Sequence, residues 1–229
     1  MKKIILLRHG ESQWNLENRF TGWTDVELTD KGREEARRAG RLLKDSGIKP
    51  GYMFTSVLRR AIHTLQIAAG EMELDWVPVF KDWHLNERHY GALQGLNKTA
   101  TAEKFGFETV HEWRRSFDAL PPLLSRDDPR FPGHDPRYAQ LSYDELPVAE
   151  SLQDTIARVR CCWEERILPE LRRCDAVMVV AHGNSLRGLA MILLHLTATE
   201  VVDLEIPTGS PWVFEVDEKI HVTDSYYLK

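Results

Sequence analysis

Hydrophobic positions along the chain fall into two alternating kinds of segment. Ile4–Leu7 and Ala176–Ala181 are short, uninterrupted apolar runs. Such runs predict strands buried on both faces. Tyr52–Thr55 and Val77–Phe80 are shorter runs of the same kind, and Val213–Val216 and Ile220–Val222 are late ones. Between them the apolar positions recur at helical spacing. Leu28-Thr29-Asp30 offers a cap for a helix over Lys31–Lys44, which Ser46-Gly47 ends. Ser56 offers a cap for a helix with Leu58, Ala61, Ile62, Leu65 and Ala69 on one face. Further helical patterns cover Thr99–Phe105 and Val110–Phe117. Ser151 with Asp154 reads as a capping box opening a long helix that Pro169 kinks or ends. After Ala181, the positions Leu186, Leu189, Ala190, Leu193 and Leu194 share a helix face.

Strands alternating with helices predict an α/β fold: three α/β/α layers around a mostly parallel sheet. No internal repeat or linker divides residues 1–229, which predicts one domain. The least regular stretch, Pro121 to Pro147, holds six of the chain's 11 prolines and the segment "PGHDPRY", and predicts an ordered excursion or a lid.

Composition narrows the class. Hydrophobic content of 42% and charged content of 28% suit a soluble globular protein. A net charge of -5 argues against bulk binding to nucleic acid or an anionic membrane. No apolar run approaches the ~20 residues that span a bilayer. Cys161, Cys162 and Cys174 are odd in number and form no C-x-x-C pair, so free thiols in the cytoplasm are expected.

Chemistry gathers where strands end. Arg8-His9-Gly10 follows one apolar run and His182-Gly183 follows another. Ligands of open α/β sheets bind outside the carboxyl ends of the strands, so the two histidines can converge. Asn184 and Ser185 can cap the next helix and leave free N–H groups for an anion. Arg59 and Arg60 lie in the first turn of a predicted helix, where the dipole disfavours cations unless an anion binds there. Arg8, Arg60 and Arg59 can clamp a phosphate. A neutral imidazole at that centre can carry a phosphoryl group if its other nitrogen is held by an acceptor, for which the backbone after His9 is a candidate. His182 can donate to the phosphoryl oxygens. Glu87 in "NERHYG" can act as general acid and base, and partial desolvation is expected to raise its pKa. No H-E-x-x-H or similar spacing brings metal ligands together.

"RHGE" (Arg8–Glu11), "S-x-L-x-R-A-x-x-T" (Ser56–Thr64) and "AHGNS" (Ala181–Ser185) resemble the histidine phosphatase superfamily. The finer resemblance is to the cofactor-dependent phosphoglycerate mutase family. "RHGESQWN", "NRFTGW", "TSVLRRAIHT", "LNERHYGALQGLNK", "WRRSF", "PGHDPRY", "ESLQDTIARV" and "IPTG" carry it in order along nearly the whole chain. The resemblance implies a phosphoglycerate mutase-like fold. It makes His9 the phosphorylated nucleophile, Arg8, Arg60, His182 and Asn15 the phosphoryl pocket, and Glu87 the proton donor and acceptor. Thr21, Gly22, Arg88, Tyr90, Lys98, Arg114, Arg115, Gly183 and Asn184 would hold the rest of the substrate, with Ser12 also on the substrate side.

The implied reaction interconverts 3-phosphoglycerate and 2-phosphoglycerate, primed by 2,3-bisphosphoglycerate and without a metal, in a homodimer or tetramer. Phosphoglycerates are the implied partners, with minor synthase and phosphatase side activities. A hydrolase of the same superfamily would share His9. The set Thr21-Gly22, Glu87–Tyr90, Lys98 and Arg114-Arg115 favours the mutase, and Ser12 favours it over the related synthase. The sequence stops at Lys229, where many relatives carry a further tail, and a more exposed phosphohistidine is expected from that.

Overall fold

The computed structural model describes residues 1–229. In chain order the elements are β1 (Lys2–Arg8), α1 (Gln13–Leu16), α2 (Asp30–Asp45), β2 (Tyr52–Thr55), α3 (Arg59–Glu71), β3 (Val79–Lys81), α4 (Lys98–Phe105) and α5 (Phe107–Arg115). They continue as α6 (Leu152–Cys162), α7 (Leu168–Arg173), β4 (Ala176–Ala181), α8 (Gly183–Leu194), α9 (Ala198–Asp203), β5 (Trp212–Val216) and β6 (Val222–Tyr227). Six strands form one sheet in the order β3-β2-β4-β1-β5-β6. The first four are mutually parallel, and β5 and β6 run antiparallel at one edge.

The period of two along a strand sorts its side chains between two apolar layers. Ile4 and Leu6 of β1, with Val177 and Val179 of β4, pack against Val159 of α6 and Leu186, Leu189 and Leu193 of α8. Ile5 and Leu7, with Met178 and Val180, pack against Ala39 and Leu43 of α2 and Leu65 and Ala68 of α3. Every residue of β4 is buried, as befits a strand with neighbours on both sides and helices on both faces. The expected mixed α/β architecture, a central sheet flanked by helices, is the one observed.

Several local expectations shift. Leu58, not Ser56, is the N-cap of α3, and its side chain makes no capping bond. Ile62 is only half-buried, while Arg60 and Thr64 join Ala61, Leu65, Ala68 and Ala69 on the buried face. Ser151 and Asp154 do form the predicted reciprocal capping box of α6. The helix then widens into a π turn over Trp163–Ile167 before Pro169 is reached, so the proline falls in the first turn of α7. There its missing N–H costs nothing. Val77 closes a turn on Leu74, and β3 begins two residues later than predicted. The last strand is Val222–Tyr227 rather than Ile220–Val222, because Ile220 adopts a positive φ of 68° in the preceding turn.

The Pro-rich stretch is ordered around its own small core of Trp23, Leu124, Phe131, Tyr138 and Leu146. Arg137 ties it to Asp25 at 2.8 Å. Arg130 Nη1 donates to the carbonyl of Gln94 at 2.7 Å. All three cysteines are free. No helix is long and apolar enough to cross a membrane.

Candidate active site

Sheet order explains how residues far apart in sequence meet. β4 lies between β1 and β2, with Ala181 in register with Arg8 and Val180 with Thr55. Three parallel strands therefore end side by side and deliver Arg8-His9, His182 and Ser56 to one rim. Beyond that rim lies a cavity of about 140 Å³. Arg8, His9, Asn15, Thr21, Gly22 and Arg60 line it from the first part of the chain, and Glu87, Tyr90, Lys98, Arg114 and Arg115 from the middle. Gly183, Asn184, Arg187 and Ile206 complete the wall. No residue of 121–147 contributes, so the Pro-rich stretch is not the cover of this cavity; α4 and α5 supply that side.

His9 is 3% exposed, and its backbone N–H donates to Ala181 O at 3.0 Å. Its ring Nδ1 lies 2.7 Å from the carbonyl of Gly10. A carbonyl can only accept, so Nδ1 carries the hydrogen and Nε2 keeps its lone pair. Burial, then the charges of Arg60 and Arg8, hold the imidazole well below its ordinary value of 6.5. The ring is thus neutral and of defined tautomer, with the Nε2 lone pair free. We expect ¹⁵N NMR of the free protein to find the His9 ring neutral, with hydrogen on Nδ1, at about pH 6, where an ordinary histidine is mostly protonated. Titration with a midpoint near 6.5 would contradict this electrostatic picture.

The loop after His9 has no room for side chains. A Cβ on Gly10 would lie 2.1 Å from the Gly32 carbonyl oxygen, and one on Gly32 would lie 2.1 Å from that of Glu11. The first turn of α2 is therefore pressed directly against the backbone that carries the nucleophile. Gly10 N–H donates to Thr64 Oγ1 at 3.1 Å, which in turn donates to Arg60 O at 2.7 Å.

Arg60 is 1% exposed, and its Nη1 and Nη2 donate to the carbonyls of Thr24 (2.9 Å) and Gly22 (2.8 Å). Burial lowers its pKa to about 10, which leaves it charged at neutral pH. Arg8 Nη1 donates to Ile206 O at 2.8 Å, and its Nε is buried without a partner. The His182 ring lies edge-on to His9 with centroids 5.0 Å apart. Its Nε2 meets Ser56 Oγ at 2.7 Å, and its Nδ1 is buried without a partner. The serine expected to cap α3 instead fixes this second imidazole. His182 is also held low, by burial and then by Arg60 and His9.

Glu87 Oε1 accepts from Arg88 N–H at 2.7 Å, Asn184 Nδ2 at 2.8 Å and Asn184 N–H at 3.2 Å. The carboxylate so placed sits at the N-terminus of α8, where the dipole favours negative charge. Burial pushes the Glu87 carboxyl up. The Arg88 N–H, the Asn184 side chain and the charges of Arg60 and Arg8 outweigh burial, and the group lies below its ordinary 4.5. The raised pKa expected from desolvation is therefore corrected: in the free protein Glu87 is a carboxylate. Its loop is fastened by Trp23 Nε1 and Arg158 Nη2, which donate to Glu87 O at 2.6 and 2.8 Å. Arg158 is itself paired with buried Glu150 at 2.6 Å.

Four sequence-derived readings meet a different local arrangement. Ser12 is fully buried and does not line the cavity. It caps α1 and donates both N–H (3.1 Å) and Oγ–H (2.9 Å) to Asn15 Oδ1. The Asn15 amide is thereby oriented with Nδ2 left free to donate. Arg88 is also fully buried outside the lining. Its Nη2 donates to the carbonyls of Trp113 (2.7 Å) and Arg114 (3.2 Å) and so holds the last turn of α5, while its Nε and Nη1 are buried without a partner. Arg59 pairs with Asp25 at 3.1 Å on the exposed side of α3 and takes no part in the clamp. Asn184 and Ser185 lie inside α8, whose N-cap is His182.

Arg187 and Ile206 were not anticipated. Ile206 contributes a backbone carbonyl, for which the sequence holds no signal. Arg187 had one: it stands four residues after Gly183, one helical turn on along the same side of the helix. No cluster of three His, Cys, Asp or Glu side chains is placed to hold a metal ion.

The family model described as histidine phosphatase superfamily (branch 1) matches residues 4–128 and 125–227. The mycobacterial glucosyl-3-phosphoglycerate phosphatase complexed with VO3 is 26% identical with a TM-score of 0.72, covering 94% of this chain and 93% of that one. A mycobacterial hydrolase is 25% identical with a TM-score of 0.72, covering 93% and 89%. The α-ribazole phosphatase from Shigella flexneri shares the fold at 21% identity, with a TM-score of 0.72 over 99% of this chain and 96% of that one.

Proposed function

The chain belongs to the histidine phosphatase superfamily, and from that membership we propose that it interconverts 3-phosphoglycerate and 2-phosphoglycerate through a phosphohistidine on His9, with 2,3-bisphosphoglycerate as the phosphoryl donor that primes it. One observation carries this reading within the superfamily. Six cations, Arg8, Arg60, Lys98, Arg114, Arg115 and Arg187, face one cavity whose single carboxylate is Glu87. Transfer of a phosphoryl group to water needs cations around that group alone. Repositioning a substrate with a carboxylate and two phosphate positions needs anion contacts along the whole cavity. The chain-long motif set, including Lys98 and Arg114-Arg115, supports the same reading.

His9 Nε2 attacks phosphorus of the donor in line, forming an N–P bond as the ester O–P bond breaks, and the departing oxygen takes a proton that solvent delivers through Glu87. Arg8, Arg60 and His182 stabilise the charge on the transferring oxygens. With the monophosphate bound, Glu87 takes the proton of its free hydroxyl. That oxygen attacks phosphorus, and the N–P bond breaks to return the lone pair to Nε2. The cations then permit the bisphosphate to turn. His9 takes the other phosphoryl group, and Glu87 returns its proton to the departing oxygen. Each cycle thus restores both residues. Asn15 Nδ2 and the Gly22 turn border the transferred group, while Lys98, Arg114 and Arg115 hold the far end.

The test is to mix purified protein with 3-phosphoglycerate and catalytic 2,3-bisphosphoglycerate, with chelator present. We expect 2-phosphoglycerate to form at a rate that depends on the bisphosphate. The names of the structural neighbours favour a phosphatase as the second reading. Release of inorganic phosphate with no 2-phosphoglycerate and no bisphosphate dependence would establish that reading instead.

A further inference from the structure

The geometry points to Arg187 as the residue that recognises the carboxylate of the substrate, a contact absent from the set implied by the sequence motifs. This assignment rests on the phosphoglycerate reading of the same cavity. Arg187 projects from α8 one turn beyond Gly183, and its guanidinium is fixed before any ligand arrives. Nε donates to Leu204 O at 2.8 Å, and Nη1 donates to Asn184 Oδ1 at 3.1 Å. Nη2 makes no hydrogen bond within the protein, and Arg187 is one of the residues that line the cavity. Nη1 keeps its second hydrogen. The two outward N–H groups form the planar fork that matches a carboxylate.

No carboxylate hydrogen-bonds that fork: Glu87, the one carboxylate of the cavity, acts on Arg187 only through space. Burial, then repulsion from Arg115, lowers the guanidinium's affinity for its proton relative to an exposed arginine. Arg115 has a partner in Glu205 at 3.2 Å, whereas Arg187 is tied only to a carbonyl and an amide. The phosphoryl end of the cavity is already served by Arg8 and Arg60, whose charges act directly on His9.

A second consequence follows from the contact with Asn184. By donating to Oδ1, Arg187 orients the amide so that Nδ2 points at Glu87 Oε1, 2.8 Å away. The same guanidinium therefore reads the substrate and holds the group that positions the base. A substrate bearing a carboxylate would be sensed one residue away from the site of proton transfer.

Calorimetric titrations of 3-phosphoglycerate and glycerol 3-phosphate test this, because the two esters differ in the carboxylate. Wild type, Arg187→Met and Arg187→Lys are compared. Arg187→Met should weaken 3-phosphoglycerate about 30-fold and glycerol 3-phosphate less than about threefold. Arg187→Lys, which keeps the charge and loses the fork, should fall between. In steady state the methionine variant should show a larger rise in KM than fall in kcat. Equal weakening of both esters, or of neither, overturns the assignment. Should the methionine variant not fold, an unchanged preference between the esters in Arg187→Lys overturns it alone. Failure of the underlying reading looks different: wild type would form no 2-phosphoglycerate while the ester preference still followed residue 187.

Discussion

Replacing His9 with alanine is expected to abolish both turnover and acid-labile phosphate on the protein. The imidazole supplies the only nucleophile at the point where Arg8 and Arg60 converge, and its Nε2 is the one ring nitrogen free to attack, because Nδ1–H is committed to Gly10 O at 2.7 Å. A water in its place would have neither the nucleophilicity nor the fixed position. A loss of at least about 10⁴-fold is expected, equivalent to about 5 kcal/mol in the barrier. The neighbouring His182 is set apart from it: its Nε2 is held by Ser56 and its ring lies edge-on to His9 with centroids 5.0 Å apart. The measurement is incorporation of labelled phosphoryl from the bisphosphate, with the melting transition as a check on folding. Acid-labile label on the alanine variant would move the nucleophile elsewhere.

Glu87→Gln is expected to lower turnover by about 10² to 10⁴-fold while sparing part of the chemistry. Glutamine retains the shape and can still accept from Asn184, but it cannot take a proton from an attacking hydroxyl. The effect must depend on the leaving group. With phosphoglycerates the departing alkoxide needs a proton, and both half-reactions should slow. With an aryl phosphate, whose phenolate leaves unprotonated, phosphorylation of His9 should proceed within about tenfold of wild type. Equal losses with both donors would assign Glu87 a structural role only. Because the carboxyl lies below 4.5, the wild-type reaction should lose its base only at more acidic pH than that.

Much of this site was legible in the residues because it rests on strand ends. Arg8-His9 and His182 follow short apolar runs that read as buried strands, and parallel strands end on the same rim. That one ring nitrogen of His9 needs an acceptor, with the backbone after it as a candidate, follows from the chemistry of a neutral imidazole; the structure makes that acceptor Gly10 O. What stayed hidden depends on partners distant in sequence. Ser56 looks like a local cap, but its hydroxyl answers to His182, 126 positions away. Ser12 carries the right chemistry for a ligand, yet its N–H and hydroxyl are spent on Asn15, and Arg88 commits its Nη2 to the carbonyls of α5. The sign of the Glu87 shift was missed because burial was weighed without the N–H groups of Arg88 and Asn184. The last strand was misplaced because its polar residues Thr223, Asp224 and Ser225 lie at an exposed sheet edge, where hydrophobic patterning fades.

The crowding of six cations around a single carboxylate has a thermodynamic consequence of its own. Like charges held together by the fold repel, and the unfolded chain is free of that repulsion. A multivalent anion in the cavity relieves it, and binds the folded chain alone. By mass action, ligand at one hundred times its dissociation constant adds about 2.7 kcal/mol to the free energy of unfolding. On the proposed function the substrate is thus also a component of the protein's stability: the chain should be most resistant to unfolding when that anion is plentiful, and its lifetime should be coupled to the supply.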